Sequence, residues 1–62
     1  MDIKSLRKLT GMSQSQFASY FGIPVRSIQE WEQERKHPPV YLTDMMRRIL
    51  ENDKVIETYK GE

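Results

Sequence analysis

Apolar residues recur along this chain at spacings of three and four, the period of an α-helix, in about five stretches. Ile3, Leu6 and Leu9 mark one face of a first helix over residues 2–10, which Asp2 is placed to cap. No stretch alternates apolar and polar residues for long enough to form a strand. The pattern therefore predicts an all-α fold, a compact bundle of short helices.

The stretch from Ser13 to Glu32 predicts two short helices joined by a tight turn. Ser13 and Gln16 stand three apart in the pattern of a capping box, and Gly22 suits the left-handed backbone that ends a helix. The apolar positions expected to face the core are Phe17, Ala18 and Phe21 in the first helix, and Ile28 and Trp31 in the second. We interpret Trp31 as a core residue, since it stands at helical spacing from Ile28.

Two adjacent prolines, Pro38 and Pro39, then force an extended connection. A longer helix is predicted from Val40 to Glu51. It carries the widest apolar stripe of the chain, at Leu42, Met45, Met46, Ile49 and Leu50. A last short helix is predicted at about residues 53–60, with Val55, Ile56 and Tyr59 as its apolar positions.

Composition excludes several classes of function. The 62 residues predict a single domain over residues 1–62. The chain has no cysteine and one histidine, which leaves too few ligands for a zinc site. No apolar run approaches the roughly 18 residues of a membrane span, and the N-terminus has no apolar signal core, so we expect a cytoplasmic protein. No paired carboxylates, Cys-His pair or glycine-rich phosphate loop is present, and we predict neither an enzyme nor a cofactor.

Net charge is only +1, but the charges are unevenly distributed. Residues 1–28 carry basic side chains against a single acid, Asp2, whereas residues 51–62 carry four acids against two lysines. The basic excess therefore lies in the N-terminal part of the chain, which reaches into the second central helix at Arg26, and a polyanionic partner would be attracted there.

The sequence SQSQFASYFGIPVRSIQEWEQ resembles the helix-turn-helix of the Cro and lambda-repressor family, also called the XRE family. That family has a Ser/Asn-Gln opening, a mid-helix Ala, a Gly-apolar turn, an apolar residue in the second helix and an apolar-Glu pair. These positions are Ser13-Gln14, Ala18, Gly22-Ile23, Ile28 and Trp31-Glu32. The resemblance implies a lambda-repressor-like bundle around a central helix-turn-helix. One departure is Glu34, which stands where the family usually has glycine and leaves the geometry of the next loop open.

The resemblance implies that the second motif helix, over residues 25–33, enters the major groove of duplex DNA with its first two turns. Arg26 has the two parallel donors that guanine accepts, and Gln29 can pair in the same way with adenine. Val25 can meet a thymine methyl group, and Glu30 can accept a hydrogen bond from cytosine. The alternative is that these side chains are only the solvated face of a short helix.

Phosphate contacts would supply affinity and register on the DNA. In the family, the usual phosphate clamp falls on the position of Gln14 and on the first amides of its helix, and the basic loop after the recognition helix touches the other flank of the groove. The residues predicted to contact phosphates are Ser13, Gln14, Ser27, Arg35, Lys36 and His37. The alternatives are capping alone for Ser13 and a solvated loop for the basic residues.

The resemblance also implies a structural ion pair. In the family an arginine at the position of Arg7 pairs with the glutamate at the position of Glu32, beneath the motif. We expect this pair to hold the scaffold together first, with any contact between Arg7 and a phosphate second.

The function that this resemblance implies is sequence-specific binding of double-stranded DNA by a transcriptional repressor or regulator. A homodimer is expected, formed through the C-terminal region at residues 52–60, with this segment packing on its own core as the alternative. A second hypothesis is an antitoxin-type module, because the WEQ-x-R-x-x-P ending resembles antitoxins that bind a toxin protein as well as their operator. A third is a helical adaptor that does not bind DNA, which the low net charge favours.

Overall fold

The computed structural model describes residues 2–57, which form four α-helices and contain no β-strand. The helices are α1 (Ile3–Thr10), α2 (Gln14–Phe21), α3 (Val25–Glu32) and α4 (Leu42–Asn52). The all-helical class predicted from the apolar spacing is therefore confirmed. The described residues contain four helices, and the predicted fifth is not formed where the structure describes it.

Side-chain caps fix the starts of α1 and α2. The carboxylate of Asp2 accepts a hydrogen bond from the backbone N–H of Ser5 at 2.8 Å. At α2, the hydroxyl of Ser13 accepts from the N–H of Gln16 at 3.1 Å, and the amide oxygen of Gln16 accepts from the N–H of Ser13 at 2.9 Å. This is the predicted capping box, and it satisfies two backbone donors that would otherwise have no partner.

One cluster of buried apolar side chains lies between the described helices. Every helix contributes to it, and its members are Ile3, Leu6, Phe17, Ala18, Ile28, Met46 and Leu50. α3 packs against both α2 and α1, and α1 also packs against α4. Ile28 is fully buried, so the side of α3 that carries it faces the core and the opposite side faces solvent.

Several residues predicted to face the core lie at its edge. Leu9, Met45 and Ile49 are exposed, and Trp31 is only partly buried where it packs against the core. The apolar stripe of α4 is wider than the contact that this helix makes, so Met46 and Leu50 fill the core while their neighbours in the stripe remain outside. Spacing gave the correct face of each helix but overestimated its buried width.

Three of the helices end in the same reversal of the backbone. At the end of α2, the N–H of Ile23 donates to the carbonyl of Ala18 and the N–H of Gly22 donates to that of Ser19, with φ of 68° at Gly22. This is a Schellman motif, in which a left-handed residue satisfies the last carbonyls of a helix. The corresponding left-handed residues after α3 and α4 are Glu34 and Lys54, each with φ of 62°.

The predicted helix at residues 53–60 is wrong over the residues that the structure describes. After α4, the left-handed backbone of Lys54 turns the chain back, and the N–H of Val55 donates to the carbonyl of Leu50 at 2.8 Å. Val55 and Ile56 are partly buried and pack against the core instead of forming a separate apolar face. Residues 58–60, including Tyr59, lie outside the described residues.

Glu34 adopts the conformation that glycine favours, so we predict that Glu34→Gly stabilises the protein. A left-handed non-glycine residue costs about 1–2 kcal/mol, and the greater freedom of glycine in the unfolded chain returns part of that. We expect the free energy of unfolding in urea to rise by about 0.5–1 kcal/mol.

The neighbouring Gln33 provides the matched control, because its φ of −88° is one that any residue adopts. Gln33→Gly should destabilise by about 0.5–1 kcal/mol, since it adds flexibility without relieving strain. If both variants lost stability equally, Glu34 would not be strained.

Candidate nucleic-acid interface

The solvent-exposed side of α3 carries the side chains predicted to read base edges. Arg26 has a side chain that is 86% exposed, and Val25 and Gln29 are also exposed. All three belong to the first two turns of α3. Arg26 lies on the side opposite the buried Ile28, whereas Val25 stands one turn before Ile28, at the edge of the buried side. The structure therefore brings Val25, Arg26 and Gln29 together on one accessible helix surface.

Glu30 is placed differently from its neighbours. Its side chain is only 22% exposed, and each carboxylate oxygen lies near a cation. Oε2 is 3.7 Å from Nε of Arg26 on the same helix, and Oε1 is 3.6 Å from Nζ of Lys36 in the loop beyond α3. The carboxylate thus sits between two of the basic groups that were predicted to meet DNA.

The basic loop after α3 is held against the helix by its backbone. The N–H of Arg35 donates to the carbonyl of Glu30 at 2.9 Å, and the N–H of Lys36 approaches the same oxygen at 3.5 Å. The left-handed conformation at Glu34 makes these bonds possible. Arg35, Lys36 and His37 are all exposed beside the end of α3. The sequence left open how the loop after α3 is arranged with Glu34 in place of the usual glycine. Glu34 adopts the left-handed backbone that a glycine would adopt there.

The predicted phosphate contacts near the start of α2 have intramolecular partners. Ser13 caps the helix, and the side-chain amide of Gln14 donates to Oε1 of Glu32 at 3.0 Å. The remaining predicted phosphate contact, Ser27, lies in the first turn of α3. It is half-buried, and its backbone N–H donates to the carbonyl of Pro24. The N–H groups of Gln14 and Ser15 lie in the first turn of α2, where helices present backbone donors outward and can bind an anion.

Arg7 and Glu32 form a two-pronged ion pair beneath the motif. Nε of Arg7 donates to Oε2 of Glu32 at 2.7 Å, and Nη2 donates to Oε1 at 3.0 Å. The remaining terminal nitrogen of Arg7 donates to the carbonyl of Met12 at 3.0 Å. Together with Gln14, these bonds connect α1, α2 and α3 and the turn between the first two helices.

The pair is well shielded from solvent, and the Glu32 side chain is only 4% exposed. The hydrogen bonds from Arg7 lower the pKa of Glu32, against the effect of burial, and the bond from Gln14 acts in the same direction as those from Arg7. The same contact with Glu32 raises the pKa of Arg7. No buried side-chain nitrogen or oxygen among the described residues is left without a hydrogen-bond partner.

The remaining features of residues 2–57 concern metal ligands, membrane spans and surface grooves. No cluster of histidine, cysteine, aspartate or glutamate among them is arranged to hold a metal ion. None of the described helices is long and apolar enough to cross a membrane. An open groove of about 550 Å³ lies between the start of α1 and the loop before α4, with Trp31, Pro38 and Pro39 among its lining residues.

The sequence did not reveal two of the contacts at this surface. The bond from Gln14 to Glu32 and the approach of Lys36 to Glu30 join residues on different elements. No spacing rule links such positions, since their proximity depends on how α2 packs against α3 and on the turn at Glu34. The ion pair between Arg26 and Glu30 is different, because its i, i+4 spacing on one helix can be recognised in the sequence.

Comparison with known proteins places the interface in context. Residues 3–41 match the family model described as helix-turn-helix. The chain is 37% identical over 51 residues to the "Uncharacterized HTH-type transcriptional regulator YiaG" of Escherichia coli K12, covering 82% of this chain and 53% of the relative. Proteins of the same name from the E. coli strains CFT073 and O157:H7 match equally. The chain thus spans about half the length of these curated relatives. No solved structure gives a significant match.

We predict that Arg7→Met strongly destabilises the protein. The variant removes the cation but keeps much of the side-chain volume, so that the carboxylate of Glu32 is left buried with only Gln14 as a partner. Breaking a buried ion pair in this way costs about 3 kcal/mol at neutral pH, measured as the free energy of unfolding in urea. Arg48→Met is the matched control, because Arg48 pairs with Asp44 at the surface and should cost less than about 1 kcal/mol.

The destabilisation by Arg7→Met should shrink as the pH falls. In the wild type, the lowered pKa of Glu32 contributes stability that is present above its ordinary value of 4.5 and is lost as the pH falls through the folded value. In the variant, burial without Arg7 raises that pKa, and protonation relieves the unpaired charge. A difference in stability that stayed constant from pH 7 to pH 3 would contradict this account.

Proposed function

This chain belongs to the helix-turn-helix family, and from that premise we propose that it is a sequence-specific DNA-binding transcriptional regulator. α3 would enter the major groove, since a helix of this motif presents the side chains of its first turns to base edges. The carrying observation is the accessible surface of α3 with Arg26 opposite the buried Ile28, Gln29 beside Arg26, and Val25 at the edge of that surface. In this arrangement Arg26 pairs with guanine, Gln29 with adenine, and Val25 meets a thymine methyl group.

Two surfaces beside α3 would position it on the DNA backbone. On one side is the start of α2, with Ser13, Gln14 and the outward N–H groups of its first turn. On the other is the exposed loop with Arg35, Lys36 and His37. Contacts of this kind fix the register of the protein without reading sequence. Ser27 would add a hydroxyl at the rim of the groove.

The regulatory role is supported by the relatives, which are named as transcriptional regulators of the helix-turn-helix type. Bound DNA would be covered at the groove and along both flanking phosphate strands. The simplest mechanism is repression, in which the bound protein excludes the transcription machinery from a promoter.

We propose that two copies associate through the outer face of α4. Over the described residues after α4, which are residues 53–57, no separate apolar helix is formed, because Val55 and Ile56 pack against the core. Met45 and Ile49, in contrast, stand one turn apart, and these residues are 48% and 41% exposed. An antiparallel pair of α4 helices would set Met45 of one copy against Ile49 of the other, and such a two-fold arrangement suits paired half-sites.

Selection of bound fragments from random duplex DNA tests the proposed function. At about 150 mM salt, binding that is purely electrostatic is suppressed, and an enriched motif reports sequence recognition. A palindrome with half-sites one helical turn apart, about 34 Å, is expected from a dimer. If the folded protein enriched no sequence, α3 would not be a recognition helix, and a protein partner such as a toxin would become the leading ligand.

Arg26→Ala should relax specificity at one base position. Loss of a bidentate contact with guanine reduces discrimination there by about 1–3 kcal/mol, measured by titrating duplexes that differ at that position. Lys8→Ala is the charge control, since Lys8 is an exposed cation on α1 that is not among the residues proposed to contact DNA or the second copy. Equal weakening on every duplex by Arg26→Ala would instead identify Arg26 as a phosphate contact.

Met45→Glu should convert the dimer to a monomer in sedimentation equilibrium. A charge at the centre of the α4 contact would meet the apolar face of the second copy and would not be compensated there. Leu9→Glu is the matched control, because Leu9 is an exposed apolar residue on α1 and should leave association unchanged. A wild type that stayed monomeric, or a Leu9 variant that dissociated like the Met45 variant, would contradict the proposed interface.

A further inference from the structure

The carboxylate of Glu30 occupies a position from which it can control both the helix and the loop of the interface. It lies between Arg26 and Lys36, with one oxygen near each cation. Its backbone carbonyl also accepts the hydrogen bond from Arg35 that holds the loop in place. Among the described residues, no other acidic side chain lies within ion-pair distance of Arg26 or Lys36.

The contact with Arg26 is made through Nε, and this choice of atom matters. A guanidinium group has one Nε–H and two terminal NH₂ groups, all in one plane. With Nε beside the carboxylate at 3.7 Å, the two terminal nitrogens are left at the outer end of a side chain that is 86% exposed. Those two nitrogens are the pair that can donate in parallel to O6 and N7 of a guanine.

The contact with Lys36 has a different consequence. A lysine is a compact point charge that attracts any phosphate, whatever the sequence. With Nζ 3.6 Å from Glu30, part of that charge is already compensated before DNA arrives. A phosphate that binds Lys36 must compete with the carboxylate of Glu30. This competition weakens binding to every DNA sequence alike.

We propose that Glu30 is a positioning residue that orients Arg26 for guanine and restrains the sequence-independent attraction of Lys36 for phosphates. This inference rests on the proposed function, because it assumes that α3 reads the major groove. It assigns specificity to a residue that need not touch a base. Direct reading of cytosine by Glu30 would require the carboxylate to leave both cations, and its low exposure disfavours that movement.

The test uses Glu30→Gln, which keeps the size of the side chain and removes its charge. Binding is measured on the selected operator, on duplexes with the guanine read by Arg26 replaced, and on an unrelated duplex. We expect affinity for the unrelated duplex to rise and discrimination at the guanine to fall, each by roughly two- to fivefold, the range expected for exposed ion pairs. The plot of log K against log salt should steepen by about 0.9, as Lys36 neutralises one more phosphate.

Three further variants separate the two effects. In an Arg26→Ala background, Glu30→Gln should no longer change discrimination at the guanine, since Glu30 acts there through Arg26. Glu30→Asp keeps the net charge but withdraws the carboxylate from both cations, so it should reproduce part of both effects of Glu30→Gln. Glu34→Gln is the matched charge control, since Glu34 is exposed and no cation among the described residues lies within ion-pair distance of it.

Different outcomes overturn different statements. Loss of discrimination at a cytosine that Arg26 does not read, retained in the Arg26→Ala background, would show that Glu30 reads a base directly. Identical effects of Glu34→Gln and Glu30→Gln would reduce the role of Glu30 to net charge. Unchanged binding by Glu30→Gln, on an operator that the wild type recognises, would refute the inference while leaving the proposed function intact. A wild type without any preferred sequence would refute the proposed function itself.

Discussion

The ion pair between Arg7 and Glu32 is the interaction on which the rest of this small structure depends. It joins the end of α1 to the end of α3, and its further bonds reach the carbonyl of Met12 and the amide of Gln14. A core of a few side chains leaves the relative orientation of short helices weakly defined, because apolar contacts are not directional. The directional bonds of one guanidinium group fix that orientation for three helices at once.

The ends of the helices are as important to the interface as their faces. Left-handed residues at Gly22, Glu34 and Lys54 reverse the chain after α2, α3 and α4. The turn at Gly22 sets α3 against α2, and the turn at Glu34 returns the basic loop to the side of α3. A non-glycine residue at the second of these turns is strained, and the bonds to the carbonyl of Glu30 help to offset that strain.

The charges of the interface are balanced more closely than its basic residues suggest. Glu30 stands between Arg26 and Lys36, so the surface that would meet DNA is not simply positive. This balance agrees with a net charge of only +1 for the whole chain. Long-range attraction to DNA is then modest, and recognition would depend more on how the groups on α3 are oriented.

The sequence by itself determined the helical class, the positions of the first three helices and the capping box at Ser13, because each follows from local spacing and local hydrogen bonds. It also predicted that Arg26, Gln29 and Glu30 share the polar face of α3, of which Arg26 and Gln29 are exposed and Glu30 is half-buried. Tertiary structure alone decided which apolar residues are covered. The contact that α4 makes is too narrow to cover Met45 and Ile49, whereas the turn after α4 packs Val55 and Ile56 against the core. It likewise decided that Gln14 bonds to Glu32 and that Lys36 reaches Glu30, because these partners meet only after the chain has turned and packed.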